Sequence, residues 1–600
     1  MPRRYESLEG AAPAVPLRLA IALRRTLQHG YGPRDLRSDI LAGIVVGIVA
    51  LPLSMALAVA SGVAPQHGLY TAIVAGLLIA LLGGSTVQVS GPTAAFVVIL
   101  APIAAQFGLG GLVVASMMAG VILIIMGATR LGSLIQFVPY PVTTGFTTGI
   151  AVVIATLQLK DFLGLTVAQM PESYVERVAA LARALPTLRP ADFAVGAFTL
   201  ALLLLWPKIT RKVPAPLVAL ALAAGLAAVL SATVPGFEVA TIRSRFHYEI
   251  AGVLRDGIPQ LPPLPGLPWN LPGPDGHPVG FSFALLRALI PSAFAIAMLG
   301  AIESLLSAVV ADGMTGGSHD PDAELVAQGI GNVVAPFFGG IAATGALART
   351  ATNVRSGARS PVAAVVHAVF VLAAVLVLAP VLGYLPMASL AALLLLVAWN
   401  MSEIKHFAHM LRVAPRSDVT VLVTCFGLTV IFDMVVSVTV GVLLAALLFM
   451  RRMAEVSEVK LVDRHPLMDT GLPRDVLIYE VAGPLFFGAA QKAMGALQRV
   501  ASGVSVVILD LSAVPAIDAT GLVGLESTLD RLRGLHVFVV LAGVQKQPLQ
   551  ALARARIKEK RRGHLAIFRT LDRAAEVARR HSRLGLSDTQ VRRLLHRPSV

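Results

Sequence analysis

Apolar residues fill most of the first 450 positions in runs approaching the ~20 residues that cross a bilayer. Fourteen segments can be drawn, over 40–61, 67–83, 92–107, 109–128, 133–157, 190–207, 214–233, 284–311, 324–339, 345–357, 361–380, 382–399, 418–433 and 434–450. The third and tenth are shorter than a full span. They are expected to begin inside the membrane, where irregular backbone is tolerated only against protein or a wet cavity. An even number of spans returns the chain to the side on which it began. After Arg452 the pattern changes: Val476–Val481, Val506–Leu511 and Val537–Leu541 read as buried strands, while Gly521–Leu532 and Pro548–Ala555 have helical periodicity. That alternation predicts a small α/β layer domain outside the membrane.

Two polar breaks in the apolar region echo each other. Gly83-Gly84 opens a stretch of small and polar residues leading through Ser90-Gly91-Pro92-Thr93 to a new helix, and Gly339-Gly340 opens another that leads through Thr344-Gly345 to Arg349. Interrupted helices in corresponding halves of a chain are the sequence pointer to a carrier's binding site, because each half-helix start offers unpaired N–H groups to an anion. Between the halves lies a proline-rich stretch, 234–283, which includes Ile258–Pro265 and Leu267–Pro272 and stops helices. Seven spans on each side make the second half run inverted, and Ala301-Ile302-Glu303-Ser304 falls where the first half has Leu51-Pro52-Leu53-Ser54. The predicted fold is therefore a polytopic α-helical membrane protein of fourteen segments in a 7+7 inverted repeat, followed by a small α/β domain.

Composition agrees with that setting. Hydrophobic residues make up 56% of the chain and charged residues 14%, with mean hydropathy +0.77; a soluble domain has ~25% charged residues. Arg34, Arg37, Arg130, Lys208, Arg211, Lys212, Lys405, Arg412, Arg416, Arg451 and Arg452 all fall in breaks assigned to the starting side, which the positive-inside rule makes the cytoplasm. Both termini are thus expected on the cytoplasmic face of a bacterial inner membrane. The segment from Met1 to Arg37 carries seven arginines but no apolar core with a cleavage site, so it reads as a cytoplasmic lead-in. From residue 451 onward 24 Lys/Arg stand against 14 Asp/Glu. Such a basic domain tethered to the inner leaflet is explained by attraction to anionic membrane lipid, and nucleic acid is not expected as a partner. The single cysteine, Cys425, allows neither an internal disulfide nor a Cys-based metal site. No Walker loop, HExxH or nucleophile triad is present, so no enzyme, catalytic residue, metal or cofactor is expected.

Pro65–Tyr70, Ser90–Thr93, Glu303-Ser304, Phe338–Gly340 and Arg349 together resemble the sulfate-permease family of anion transporters, and Val507–Gly521 resembles the STAS domain (sulfate transporter and anti-sigma-factor antagonist) found at the end of such chains. Val397–Glu403, Leu428–Met434 and Gly483–Phe487 resemble the C4-dicarboxylic acid transporter branch of that family in bacteria. The resemblance implies two intertwined seven-helix repeats forming core and gate domains, a homodimer, and transport by movement of core against gate. The domains expected are a cytoplasmic segment 1–38, a transporter domain 39–452 (repeats 39–233 and 284–452 around the outer loop 234–283), a STAS domain 453–578 and a basic tail 579–600.

The anion is expected between the starts of segments three and ten, where helix dipoles converge. On the family pattern its contacts are Thr93, Ala94, Ala95 and Phe96 on one side and Ala346, Leu347, Ala348 and Arg349 on the other. Small residues also serve close helix packing in membranes. A guanidinium at mid-depth costs ~2.5–3.5 kcal/mol to insert, so Arg349 should face a cavity or a partner. Glu303 is the other telling charge: a carboxyl in low dielectric can bind a proton in one state and release it in another, or it can pair with Arg349. Sodium coupling stays open, since Glu303, Ser307 and Thr344 can supply oxygens. Asp433, at a hairpin tip, reads as a solvated cap, and His367 as a packing residue. In the STAS domain Asp518 and Thr520 occupy a loop where soluble relatives carry a phosphorylatable hydroxyl, a point of regulation through a cytosolic partner. The leading expectation is proton-coupled uptake of C4-dicarboxylates such as succinate, fumarate and aspartate. Sulfate or bicarbonate is the alternative cargo, and a membrane sensor signalling through STAS is the alternative class.

Overall fold

A computed structural model describes residues 19–28, 30–135, 138–167, 170–171, 173–210, 213–250, 253–432, 434–456, 458–461, 472–473, 475–486, 503–557 and 563–584. The chain divides into two compact units, Met1–Val442 and Leu443–Val600, with the division inside the last apolar helix, Met434–Val456.

Ten helices among the described residues of the chain are long and apolar enough to cross a membrane. The longest, Ala94–Ala128, is broken at Gly108 (φ 68°, ψ −172°) and so holds the third and fourth expected segments end to end. A side chain at Gly108 would sit 2.4 Å from the Gly273 backbone, and the Gly110 amide donates to the Pro272 carbonyl at 2.9 Å. The proline-rich loop between the halves thus plugs the break. Helices Pro321–Val334, with 14 residues, and Leu347–Arg355, with nine, fall short of a span, so length alone does not give fourteen. The fifth segment starts at Tyr140, later than the expected 133, because Pro139 and Pro141 set the helix start there. Helix Met387–Met401 likewise starts after Pro386. Small residues let helices approach: added methyl groups at Gly120 and Gly329 would each lie 2.6 Å from the other's carbonyl oxygen.

Strand β1 (Ser90–Gly91) lies before the helix that begins at Ala94. The loop between the halves carries a hairpin of β2 (His247–Ile250) and β3 (Val253–Asp256). Its proline-rich part is fastened by the Gly266 amide to the Phe337 carbonyl at 2.6 Å and by Trp269 edge-on to Phe281 and Phe337. Strand β4 (Thr344–Gly345) lies before helix Leu347–Arg355.

The second unit is a five-stranded sheet in the order β5 (Glu458–Leu461), β6 (Val476–Ala482), β7 (Val506–Ala513), β8 (Phe538–Ala542), β9 (Leu565–Phe568), antiparallel at β5–β6 and parallel elsewhere. Period two along β7 sends Val507, Leu509 and Leu511 to the face covered by Leu525 and Leu529 of helix Ala519–Gly534. Val506 and Ile508 go to the face covered by Ala574, Ala575 and Ala578. Those alanines belong to helix Leu571–Leu584, so the expected tail begins as helix through residue 584. Asp475, just before β6, accepts hydrogen bonds from the Ser505 hydroxyl and, at 2.6 Å, from Ser582 in that helix. The Ser505 bond first, then the Ser582 bond, holds its carboxyl below the usual carboxylate range. A depressed folded pKa contributes stability above the unfolded value that is lost as pH falls through the folded one. The wild-type melting temperature should therefore fall between about pH 5 and pH 2, and part of that fall should be absent in Asp475→Asn. Thermal melts across that range check it.

Candidate functional site

The two interrupted helices meet. Strands β1 and β4 pair antiparallel, Ser90 opposite Gly345 and Gly91 opposite Thr344, and the Ala346 amide donates to the Val89 carbonyl at 2.9 Å. Gly345 makes room for its neighbours, because a Cβ there would lie 2.0 Å from Gln88 Nε2 and 3.0 Å from the Ser304 Cα, and Gln88 would have to move. Immediately after each strand a helix begins, at Ala94 and at Leu347, and no side chain caps either start. The first N–H groups of both helices are left for an external acceptor.

The hydroxyls around the pairing belong to its framework. The Gly345 amide donates to Ser304 Oγ at 2.9 Å, and Ser304 and Thr344 share a 2.8 Å bond. Thr344 donates onward to the Gly300 carbonyl at 2.9 Å. Ser307 donates to Thr350 Oγ1 at 3.2 Å, which also accepts the Val89 amide at 3.1 Å. Thr344 thus holds backbone, Ser307 holds the Thr350 hydroxyl, and neither is bonded to Glu303. Asn332 clamps the second break from both sides, donating to the Ala343 carbonyl and accepting its amide, each at 2.8 Å. Asn353 reaches the first break at the Val87 carbonyl, 2.9 Å away.

The predicted contacts divide by burial. Ala94, Ala95, Phe96 and Ala346 are buried, Thr93 is partly exposed, and Leu347 and Ala348 are exposed. Glu303 joins them: Thr93 Oγ1 donates to its Oε2 at 2.8 Å. The site is therefore a backbone cradle with a carboxylate at its edge. Arg349 is 2% exposed and lies behind the cradle, donating from Nη2 to the Pro92 carbonyl at 2.9 Å and more weakly to Ser54 Oγ at 3.4 Å. Its Nη1 would be 2.6 Å from a Cβ on Gly91, so the glycine admits the guanidinium. Arg349 Nε and Nη1 have no hydrogen-bond partner. No ion pair among the described residues joins Arg349 to Glu303. Its charge instead underlies both helix starts.

His367 is buried as expected, but neither ring nitrogen has a hydrogen-bond partner. Asp433 lies outside the described residues. In the second unit Asp518 caps helix Ala519–Gly534 by accepting the Gly521 amide at 2.6 Å, and Thr520 is exposed in its first turn. The residue with the largest share of bonds around the first break, Glu324, was not among the sequence candidates. Its signal was available: Glu324, Gln328 and Asn332 stand at i, i+4, i+8 on one face of an apolar helix.

Residues 36–425 match the profile described as the sulfate permease family, and residues 469–574 match the STAS domain. The chain is 40% identical over 526 residues to the "Putative sulfate transporter YvdB" of Bacillus subtilis, covering 87% of this chain and 94% of that one. It is 30% identical over 546 residues to the "Bicarbonate transporter BicA" of Picosynechococcus, covering 86% and 91%. The solved transmembrane domain of a cyanobacterial BicA superposes with a TM-score of 0.57 at 28% identity, covering 69% of this chain and 98% of that one. The overall structure of SLC26A9 superposes with a TM-score of 0.79 over 95% of this chain and 93% of that one, a likeness of fold at 19% identity.

Proposed function

The chain belongs to the sulfate permease family of anion transporters, and from that premise we propose that it is a secondary carrier of bicarbonate, moved together with one monovalent cation that neutralises Glu303. The observation that carries this reading is the meeting of two uncapped helix starts at the β1–β4 pair with the Glu303 carboxylate bonded to Thr93 at the same edge. Two sets of free N–H groups and the Arg349 charge favour an anion. A neighbouring carboxylate selects among anions: bicarbonate brings its own O–H to donate, whereas sulfate brings only acceptors and a second negative charge. Sulfate is the second reading, supported by the name of the Bacillus relative.

Energetics point the same way. Carrying one negative charge inward against the membrane potential costs about 2.3 kcal/mol per 100 mV, and a dianion costs about twice that. One proton or one sodium ion per bicarbonate cancels this cost with the single carboxylate at the site. The expected C4-dicarboxylate cargo draws no support from the relatives above, whose names specify sulfate and bicarbonate. Cytoplasmic termini in a bacterial inner membrane, a homodimer and core-against-gate movement complete the proposed picture.

The test is uptake of labelled bicarbonate, sulfate and succinate into proteoliposomes at alkaline pH, with sodium or proton gradients imposed separately. Gradient-driven bicarbonate accumulation is expected. Sulfate or succinate accumulation without bicarbonate would replace the cargo, and accumulation of none by folded protein would overturn the reading.

A further inference from the structure

Glu324 is 1% exposed, on helix Pro321–Val334 of the second half, yet its bonds go chiefly to the first. Oε2 accepts the backbone amides of Gly84 at 3.0 Å and Ser85 at 3.1 Å. Oε1 accepts the side-chain amides of Gln88 and Gln328, both at 3.1 Å. Four N–H groups converge on the two oxygens, and protonating the carboxyl would set an O–H against one of them. The arrangement suits a fixed negative charge rather than a proton carrier.

From this carboxylate the bonds lead directly to the cradle. Gln328 Nε2 also donates to Ser90 Oγ at 2.9 Å, and Ser90 is the residue paired with Gly345. Gln88 Nε2 fills the space that a Gly345 side chain would need. The oxygens of both amides, Gln88 Oε1 and Gln328 Oε1, are buried without partners. That orphaning has a cause: a carboxylate can only accept, so it draws the NH2 end of each glutamine inward and leaves the carbonyl end unbonded. The donor that holds Ser90 is therefore oriented by the charge on Glu324.

We propose that Glu324 is a positioning residue of the anion site, a fixed carboxylate that orients Gln88 and Gln328 and thereby sets the register of the first helix start against the second. It does not touch the cargo. The two glycines that open the first break follow from the same packing. A Cβ on Gly83 would lie 2.7 Å from the Ile79 carbonyl oxygen and 2.9 Å from Glu324 Oε2, and one on Gly84 would lie 2.2 Å from the Asp320 carbonyl oxygen.

The inference rests on the anion site proposed above, and Glu324→Gln tests it. The new amide has a donor end of its own, so neither glutamine is forced into one orientation and Ser90 loses its fixed donor. With whichever anion the wild type moves, the half-saturation concentration should rise about tenfold while the saturated rate stays within about threefold, the split expected when binding geometry rather than turnover is lost. The melting temperature without anion should stay near wild type, and the rise on adding anion should shrink. Gly83→Ala presses the same carboxylate without removing its charge and should shift half-saturation in the same direction by less. Unchanged half-saturation in both variants overturns the proposal, as does a loss of rate that follows a lowered melting temperature with half-saturation unmoved. A wild type that moves no anion would instead count against the transport reading itself.

Discussion

Arg349→Ala is expected to reduce anion uptake about a hundredfold, the largest loss from any single side chain around the cradle. A unit charge about 6 Å from a bound anion is worth about 3 kcal/mol at an effective dielectric constant near 20, on the order of a hundredfold in affinity. The guanidinium reaches the Pro92 carbonyl and has two buried nitrogens without hydrogen-bond partners, so little in the protein neutralises that charge before cargo arrives. Arg349→Lys keeps the charge and loses the planar fork; it should recover part of the uptake, whereas Arg349→Gln should not. Initial rates in proteoliposomes, with monodispersity in detergent as the control for folding, decide it. Equal rates for the Ala and Lys variants would show that shape, not charge, is what the arginine supplies.

Glu303→Gln should separate transport from its driving force. The Thr93 hydroxyl that donates to Glu303 Oε2 can donate equally to a glutamine carbonyl, so the edge of the cradle keeps its shape. What disappears is the group that, on the proposed reading, takes up one cation and gives it back. Accumulation driven by a sodium or proton gradient should fall at least about tenfold, while exchange of labelled for unlabelled anion across the same vesicles continues. An undiminished gradient response in the variant would remove Glu303 from the coupling step. If exchange and accumulation vanish together while the protein still folds, the carboxylate is needed to bind the anion rather than to couple it.

The sequence disclosed where the two helices are interrupted because backbone requirements leave compositional marks. Gly83-Gly84 and Gly339-Gly340 mark both breaks, and the structure brings the residues after them into the β1–β4 pair. The strands β6, β7 and β8, helix Ala519–Gly534 between β7 and β8, and helix Lys546–Arg554 after β8 were equally plain, since period two and period 3.6 alternate there. Direction was not legible. Arg349 lies on the expected half-helix but turns behind Gly91, while Ser307 turns toward the Thr350 hydroxyl and Thr344 toward the Gly300 carbonyl, because rotation about a helix axis is set by packing against other elements. Glu324 escaped notice for a related reason. A lone carboxylate near a helix start reads as a first-turn acid favoured by the dipole, and only the fold reveals that its partners come from Gly84, Ser85 and Gln88, more than two hundred residues upstream.

The same separation governs how the protein is made. Ser90 and Gly345, which close the cradle, are 255 positions apart, and a ribosome adding about 5–20 residues per second needs roughly 13–50 s to travel between them. Throughout that interval the first break lacks its β-partner, and until Glu324 has been added it lacks its carboxylate anchor as well, so its open backbone groups wait in a half-built membrane domain. Truncations ending before residue 345 should consequently be substrates for membrane proteases even when every earlier span has been inserted.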